Sequence, residues 1–184
     1  DYEAVRDHAR VFRPRMILAG SSAYPRQIDF QELHDIAHDM GAMLFADIAH
    51  VAGLVIAGLH PNPTPLSDVV TTSTHKTFCG PRTGGLILCK ARHAQAIDEA
   101  LAPGLQAAPG AHIIAARAVL FDWVMRPEFR QLMQAVVDGA AGLARGLEKE
   151  GVSLFAGGTE THMVVVDLRG SDWPEAELNA RLER

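Results

Sequence analysis

The sequence has little of three features, each of which would indicate a particular class of protein: cysteine, long hydrophobic runs and excess positive charge. Its two cysteines, Cys79 and Cys89, are too few for a disulfide framework. No apolar run approaches the length of a membrane span, and the start lacks a charged-then-apolar secretory pattern. A formal charge of -5 gives no basic footprint for nucleic acid. We therefore expect a cytoplasmic protein with no nucleic-acid and no membrane partner.

What the sequence does have is enough apolar content for one domain-sized core, with 184 residues of which 48% are hydrophobic. Residues with helical spacing alternate with short apolar or β-branched runs, and such an order favours an α/β fold with a mostly parallel sheet. Helices are predicted over 2–12, 30–40, 91–102, 111–125, 128–150 and 175–184. Strands are predicted over 15–20, 42–47, 68–73, 84–90, 152–155 and 162–168, with 84–90 as a hairpin partner or antiparallel neighbour. Residues 103–110 are predicted to form an irregular loop.

The stretch from Val69 to Arg82 is the most informative part of the chain. A β-branched run predicts a buried strand, and it ends in a Thr/Ser cluster, His75-Lys76 and a Gly-Pro break. Ligands of open α/β sheets bind outside the carboxyl ends of the strands, so an amine there can act as a nucleophile. The alternative for Lys76 is a solvated surface lysine.

A second predicted strand delivers an acid to the same edge, with Asp47 at its end and His50 one short turn later. A carboxylate and an amine on neighbouring strand ends are what a pyridoxal phosphate site requires. The lysine holds the cofactor covalently, and the acid keeps the pyridine nitrogen protonated so that the ring withdraws electrons. The alternative for His50 is a structural histidine bonded to backbone.

Several motifs in this region resemble the core of the serine hydroxymethyltransferase family: residues 46–55, 61–63, 71–77 and 80–82. The resemblance extends from residue 1 to about residue 167. It implies the large domain of pyridoxal enzymes of fold type I, which is a mostly parallel α/β sheet flanked by helices, followed by the start of a small α+β domain. We expect residues 1–126 to belong to the large domain, and 127–184 to form a linking helix and a truncated small domain.

The resemblance also implies roles for particular residues. Lys76 would carry pyridoxal 5'-phosphate covalently, and Asp47 would pair with the ring nitrogen. His50 and Ser22 would lie near the phenolic oxygen, although turn chemistry is an alternative explanation for the serines of Ser21-Ser22. The remaining candidates are Thr74 and His75, which flank the cofactor, and Arg82, which is expected to be a buried structural or substrate-side charge. His34 and His38 are four residues apart, but a solvated face is the preferred interpretation and no metal is expected.

The activity implied by the resemblance is reversible transfer of the serine side-chain carbon to tetrahydrofolate, which leaves glycine. The enzyme would be a homodimer or a dimer of dimers with shared active sites. The sequence departs from the family pattern at three places, Ser73, Thr83 and Ala107-Ala108. Because of these departures, the activity of a related enzyme stays an alternative: α-methylserine hydroxymethyltransferase, threonine aldolase or threonine transaldolase. A non-catalytic homologue would be expected to lose Lys76 or Asp47.

The two ends of the chain lead us to expect a fragment of a longer active protein. The sequence begins without methionine and stops within the predicted helix over 175–184. The family's arginine for the substrate carboxylate would then lie beyond Arg184, and much of the folate pocket would lie in missing segments.

Overall fold

The computed structural model describes residues 1–169, so the helix predicted over 175–184 lies outside the described residues. Four strands are present: β1 (Met16–Gly20), β2 (Met43–Asp47), β3 (Val69–Ser73) and β4 (Gly85–Cys89). The α-helices are α1 (Tyr2–Phe12), α2 (Phe30–Asp39), α3 (Ala52–Ile56), α4 (Ala91–Glu99), α5 (Ala111–Val124) and α6 (Pro127–Lys149). A π-helical segment (Ala100–Leu105) follows α4, and a short 3-10 turn (Phe155–Gly157) follows α6.

The four strands form one sheet in the order β1-β2-β3-β4. The first three strands are parallel, and β4 runs antiparallel to β3. The prediction of a mostly parallel α/β sheet flanked by helices is therefore confirmed, as is the prediction that 84–90 forms an antiparallel neighbour. The register pairs Gly20 with Asp47, and Asp47 with Thr71, at the carboxyl edge of the parallel strands.

One face of the sheet forms the core of the protein. Ala19, Leu44, Ala46 and Val70 alternate along the three parallel strands, and each is no more than 5% exposed. Helices pack on this face and contribute further core residues: Phe30, Leu33, Ala37, Leu54, Leu120, Phe129 and Met133. The other face carries Met16 and Leu18, which are exposed. This open face leads towards the carboxyl edge, where the candidate site lies.

Helix α2 begins with a capping interaction at Asp29. Asp29 accepts hydrogen bonds from the backbone N–H groups of Gln31 (3.0 Å) and Glu32 (3.1 Å), as an N-cap carboxylate does. Glu32 does not return the bond to Asp29. Its carboxylate pairs instead with Arg6 of α1 at 3.3 Å, and the Asp29 N–H donates to the hydroxyl of Tyr2 at 2.8 Å. The Arg6–Glu32 ion pair and the Asp29–Tyr2 hydrogen bond therefore join α1 to α2.

The prediction of strands over 152–155 and 162–168 is wrong, because neither range forms a regular strand. The structure has a single antiparallel bridge between Leu154 and Val166. Ala156 has a φ of 57° and Gly157 a φ of 66°, so the chain turns before a ladder can extend. The predicted helix over 91–102 is also shorter, because regular α-helix ends at Glu99.

The predicted division of the chain at residue 126 stays a prediction. Phe129 and Met133 of α6 belong to the same buried cluster as the sheet residues, so the first turns of α6 pack on the sheet core. Among the helices that the structure describes, none is both long and apolar enough to cross a membrane.

Candidate active site

A cavity of about 410 Å³ lies at the carboxyl edge of the parallel strands. Its polar lining includes Ser21, Ser22, Asp47, His50 and Lys76, which come from three successive strand ends. Its apolar lining includes Met16, Leu18 and Phe45 on the open face of the sheet. The fold therefore brings together the amine, the carboxylate, the imidazole and the hydroxyl that the sequence singled out as Lys76, Asp47, His50 and Ser22.

Asp47 is the last residue of β2, and its position is fixed by a short turn. Its Oδ1 accepts a hydrogen bond from the backbone N–H of Ala49 at 2.8 Å, which orients the carboxylate. The side chain lies on the open face of the sheet and is exposed. Gly20 lies beside it on β1, and a Cβ on Gly20 would come within 2.4 Å of the Asp47 carbonyl oxygen. Glycine is therefore needed at the end of β1.

Lys76 lies beside His50 because the segments that follow β2 and β3 are joined. The Thr77 hydroxyl donates to the backbone carbonyl of His50 at 2.7 Å and accepts from the backbone N–H of Gly53 at 3.1 Å. A Cβ on Gly53 would lie 2.1 Å from the Thr77 carbonyl oxygen, so the approach requires glycine. Local sequence patterns could not indicate this contact of Thr77, because the residues it joins are distant along the chain.

The surroundings of His50 lower the pKa of its imidazole. Burial lowers the pKa of His50 below its usual value, and the nearby positive charge of Lys76 lowers it further, while Asp47 acts in the opposite direction. A neutral imidazole can donate a hydrogen bond from one ring nitrogen and accept a proton on the other.

The two serines after β1 have different environments. The Ser21 hydroxyl accepts a hydrogen bond from the backbone N–H of Ala23 at 3.2 Å, which is the turn chemistry that explains a serine without a catalytic role. Both serines line the cavity. The cofactor role of Ser22 remains a prediction.

Three other predicted site residues do not line this cavity. Thr74 is fully buried, and its hydroxyl donates to the carbonyl of Pro81 at 2.9 Å, so it braces the loop after β3. His75 is exposed. Arg82 is also exposed, so the expectation that it is buried is wrong: the Gly80-Pro81 turn leads into the exposed residues 82–85. The cofactor roles of Thr74 and His75 and the substrate-side role of Arg82 remain predictions.

Sequence reasoning missed one residue whose ring contacts the site. His162 stacks on His50 with ring centroids 6.3 Å apart and planes inclined by 17°. No local pattern could have indicated this, because His162 follows α6 whereas His50 follows β2. His34 and His38 stack on each other at 6.1 Å, on α2 and away from the cavity. Within residues 1–169, no group of three or more His, Cys, Asp or Glu side chains could hold a metal ion.

The donor set fits pyridoxal phosphate. The cofactor needs an amine for its aldehyde, a carboxylate for its ring nitrogen and a flat apolar wall for its ring. Lys76, Asp47 and the apolar lining of the cavity offer these three features in one place. The cavity volume also lies within the usual range for small-molecule sites, about 300–1,000 Å³.

A second cavity of about 760 Å³ adjoins the first and shares Asp47, Ala49 and Thr71 with it. It extends over β4 towards Arg117, whose guanidinium donates to the carbonyl of Thr83 at 2.7 Å. Although this cavity is larger, it does not contain Lys76 among its lining residues. We therefore assign the candidate site to the smaller cavity.

The family model described as serine hydroxymethyltransferase matches the chain over residues 1–184.

Proposed function

The chain belongs to the serine hydroxymethyltransferase family, and we propose that it provides the pyridoxal phosphate site of an enzyme that interconverts serine and glycine with tetrahydrofolate. Members of the family are in general pyridoxal-phosphate-dependent transferases that use folate as co-substrate. The observation that carries the proposal is the presence of Lys76, Asp47 and His50 in one cavity at the carboxyl edge of the sheet.

Each of these residues has a role in the proposed site. The Lys76 amine would hold the cofactor covalently, and the Asp47 carboxylate would pair with its ring nitrogen. His50 and Ser22 would lie by its phenolic oxygen. When bound, pyridoxal phosphate supplies an electron sink that allows a bond at the α-carbon of an amino acid to break.

The protonation states of Asp47, Lys76 and His50 matter for their proposed roles. Asp47 would keep a proton on the ring nitrogen, because a nearby carboxylate stabilises the positive charge that the proton creates. The Lys76 amine would have to be neutral to act as the nucleophile that holds the cofactor. His50 would serve as a hydrogen-bond partner, and its lowered pKa supports a neutral ring at neutral pH.

We further propose that the active protein is a longer, cytoplasmic chain that works as a homodimer or a dimer of dimers. The family is generally dimeric or tetrameric. Helix α5 supports an assembly of this kind because it exposes large apolar side chains, including Ile114 (53%), Val119 (70%) and Phe121 (41%).

A second candidate function is aldol or transaldol chemistry on a β-hydroxy amino acid without folate, or transfer from α-methylserine. The observation that favours it is Ala107-Ala108, which replaces the family's glycine pair in an exposed irregular segment. Glycine allows close backbone approach to a ligand, and two added methyl groups hinder it.

The test uses the full-length protein loaded with pyridoxal phosphate and isotopically labelled serine, with and without tetrahydrofolate. We expect glycine to form at an appreciable rate only when tetrahydrofolate is present. Folate-independent cleavage of threonine or another β-hydroxy amino acid, at a rate above that for serine, would favour the second candidate. A Lys76→Arg variant is the inactive control, because it keeps the charge but removes the reactive amine.

A further inference from the structure

His162 contacts His50 from the segment after α6, and the sequence motifs around Lys76 and Asp47 do not include it. Its ring lies nearly parallel to that of His50, with centroids 6.3 Å apart. His162 is half-buried, and its Nδ1 is buried without a hydrogen-bond partner in the described part of the chain. The contact that links this ring to the site is its stack on His50.

Three residues of the loop after β1 hold the segment that carries His162. The Arg26 guanidinium donates to the carbonyl of Ala156 from Nε (3.0 Å) and Nη2 (2.8 Å). The Glu160 carboxylate accepts from the backbone N–H of Gln27 at 3.0 Å, and the Glu160 N–H donates to the carbonyl of Pro25 at 2.8 Å. The loop that places Ser22 in the cavity is thus joined to the segment that carries His162.

The residues on either side of His162 restrict it further. Thr161 is fully buried, and its N–H donates to the Thr159 hydroxyl at 3.1 Å. The Thr161 hydroxyl in turn accepts from the backbone N–H of Met163 at 3.3 Å. Hydrogen bonds between residues so close in sequence restrict the backbone around residue 162, and this restricts the direction of the His162 side chain.

The pKa values of both rings of the stacked pair are lowered. Burial lowers the pKa of His162, and the positive charge that His50 could carry lowers it further. The other charged groups facing His50 are Asp47 from β2 and Lys76 from the segment after β3. Because His162 covers one side of His50, it limits the access of water to that imidazole.

We propose that His162 is a positioning residue of the site, which stacks on His50 and holds that imidazole at the cavity beside Lys76 and Asp47. This inference rests on the proposed function for the chemistry that His50 serves, but the contact itself is a property of the protein without its cofactor. If His162 has this role, the segment over 154–166, which hydrogen-bonds the loop after β1, is part of the site.

The experiment compares His162→Ala, His162→Gln and His162→Phe in the full-length protein. The first readout is the titration of the His50 ring by NMR in the protein freed of cofactor. Loss of the ring in His162→Ala or His162→Gln admits water to His50, so its pKa should rise towards the usual value. His162→Phe keeps a flat ring, so the titration of His50 should stay close to that of the wild type. His162→Gln leaves a smaller void and covers the case in which the alanine variant does not fold.

The matched control is His38→Ala, which removes one ring of the His34–His38 stack on α2. That pair has nearly the same geometry, at 6.1 Å and 20°, but lies outside the site. His38→Ala should leave the titration of His50 unchanged. The inference is overturned if folded His162→Ala and His162→Gln leave the titration of His50 unchanged, or if His38→Ala shifts it as much as they do.

The second readout is steady-state kinetics of the loaded enzyme. We expect kcat to fall about 10-fold in His162→Ala while KM changes less than about 2-fold, with recovery in His162→Phe. A fall caused by general destabilisation would not recover in this way. If the protein proves not to bind pyridoxal phosphate, the proposed function fails while the titration of His50 still decides the inference.

Discussion

At the scale of single residues, the side chains of the site are held by the backbone before any ligand binds. Ala49 orients the carboxylate of Asp47, and Thr77 fixes the backbone of His50. A constellation held in this way loses little conformational freedom when substrate enters, which favours catalysis. The arrangement is that of a site built on strand ends rather than on long loops.

Asp47→Asn tests the role of the carboxylate. Asparagine keeps the side-chain oxygen that accepts from Ala49 but removes the charge, so the fold and cofactor binding should be largely retained. The ring nitrogen would lose the partner that keeps it protonated, and we expect kcat to fall at least about 100-fold.

Asp138→Asn is the matched control for this substitution, because Asp138 is exposed on α6 and bonds Gln134. Its kcat should equal that of the wild type. A fully active Asp47→Asn enzyme would contradict the assignment of Asp47 to the ring nitrogen.

Local sequence patterns located some site residues and could not locate others. Lys76 and Asp47 follow β-branched and apolar runs, and parallel strands bring such ends to one edge, so their meeting was predictable. The stack of His162 on His50 depends on how the segment after α6 is anchored, and no local pattern carries that information. Arg82 was expected to be buried from the adjacent Gly-Pro pair, but the turn leads outward.

At the scale of elements, the close contact between α3 and the segment after β3 controls the geometry of the site. Gly53 is buried at the start of α3, and the backbone of Thr77 lies against it. The contact leaves no room for a side chain at residue 53. The distance between His50 and Lys76 therefore depends on one glycine.

Gly53→Ala should destabilise the protein by about 1–3 kcal/mol, because its Cβ would overlap the Thr77 carbonyl and the Met133 sulfur. Because the shift separates the segments of His50 and Lys76, kcat should fall together with the free energy of unfolding. Urea denaturation and steady-state kinetics measure the two effects.

Gly139→Ala is the control for Gly53→Ala, since no atom lies within 4 Å of an added Cβ in the middle of α6. It should stabilise the protein by about 0.5–1 kcal/mol, as alanine does in helices. Equal effects of the two substitutions on stability would refute the close-contact explanation.

The elements themselves were more predictable than their contacts. Strands β1 to β4 and helices α5 and α6 lie within one or two residues of their predicted bounds, because apolar periodicity and Gly/Pro breaks act locally. Residues 152–155 and 162–168 have strand-like composition, yet they form only one bridge. The chain between these two stretches is held instead by contacts with the loop after β1. Arg26 donates to the carbonyl of Ala156, and Glu160 accepts from the N–H of Gln27.

At the scale of the whole molecule, several buried groups favour one protonation state. His60 is 5% exposed, its Nδ1 hydrogen-bonds the carbonyl of Pro61 at 3.1 Å, and its Nε2 is buried without a partner within residues 1–169. Burial lowers the pKa of His60. Asp68 is also buried, but the Leu44 N–H, Lys90 and Arg92 together outweigh its desolvation and lower its pKa.

These shifts predict that stability falls in acid in two stages. For His50, His60 and His162 the native pKa lies below the unfolded value of 6.5, so the unfolded chain binds protons more readily. Their contribution is complete above pH 6.5 and is lost as the pH falls through the native pKa values. For Asp68 the contribution is complete above the unfolded value of 3.8 and is lost in stronger acid.

Urea denaturation at a series of pH values from about 8 to 4 measures this dependence. The free energy of unfolding should decrease as the pH falls below 6.5, the unfolded histidine value, and His60→Gln should reduce the slope in that range. A stability that rises on acidification between neutral pH and 5 would mean that the buried histidines are charged in the native protein.

The most direct test of the whole account is to locate the lysine that carries the cofactor. The full-length protein is incubated with pyridoxal phosphate, reduced with borohydride, digested and analysed by mass spectrometry. We predict that the reduced cofactor is attached to Lys76 and not to the other lysines of this chain, Lys90 and Lys149. Attachment at Lys90 or Lys149, or no attachment in a folded protein, would contradict the assignment of the site.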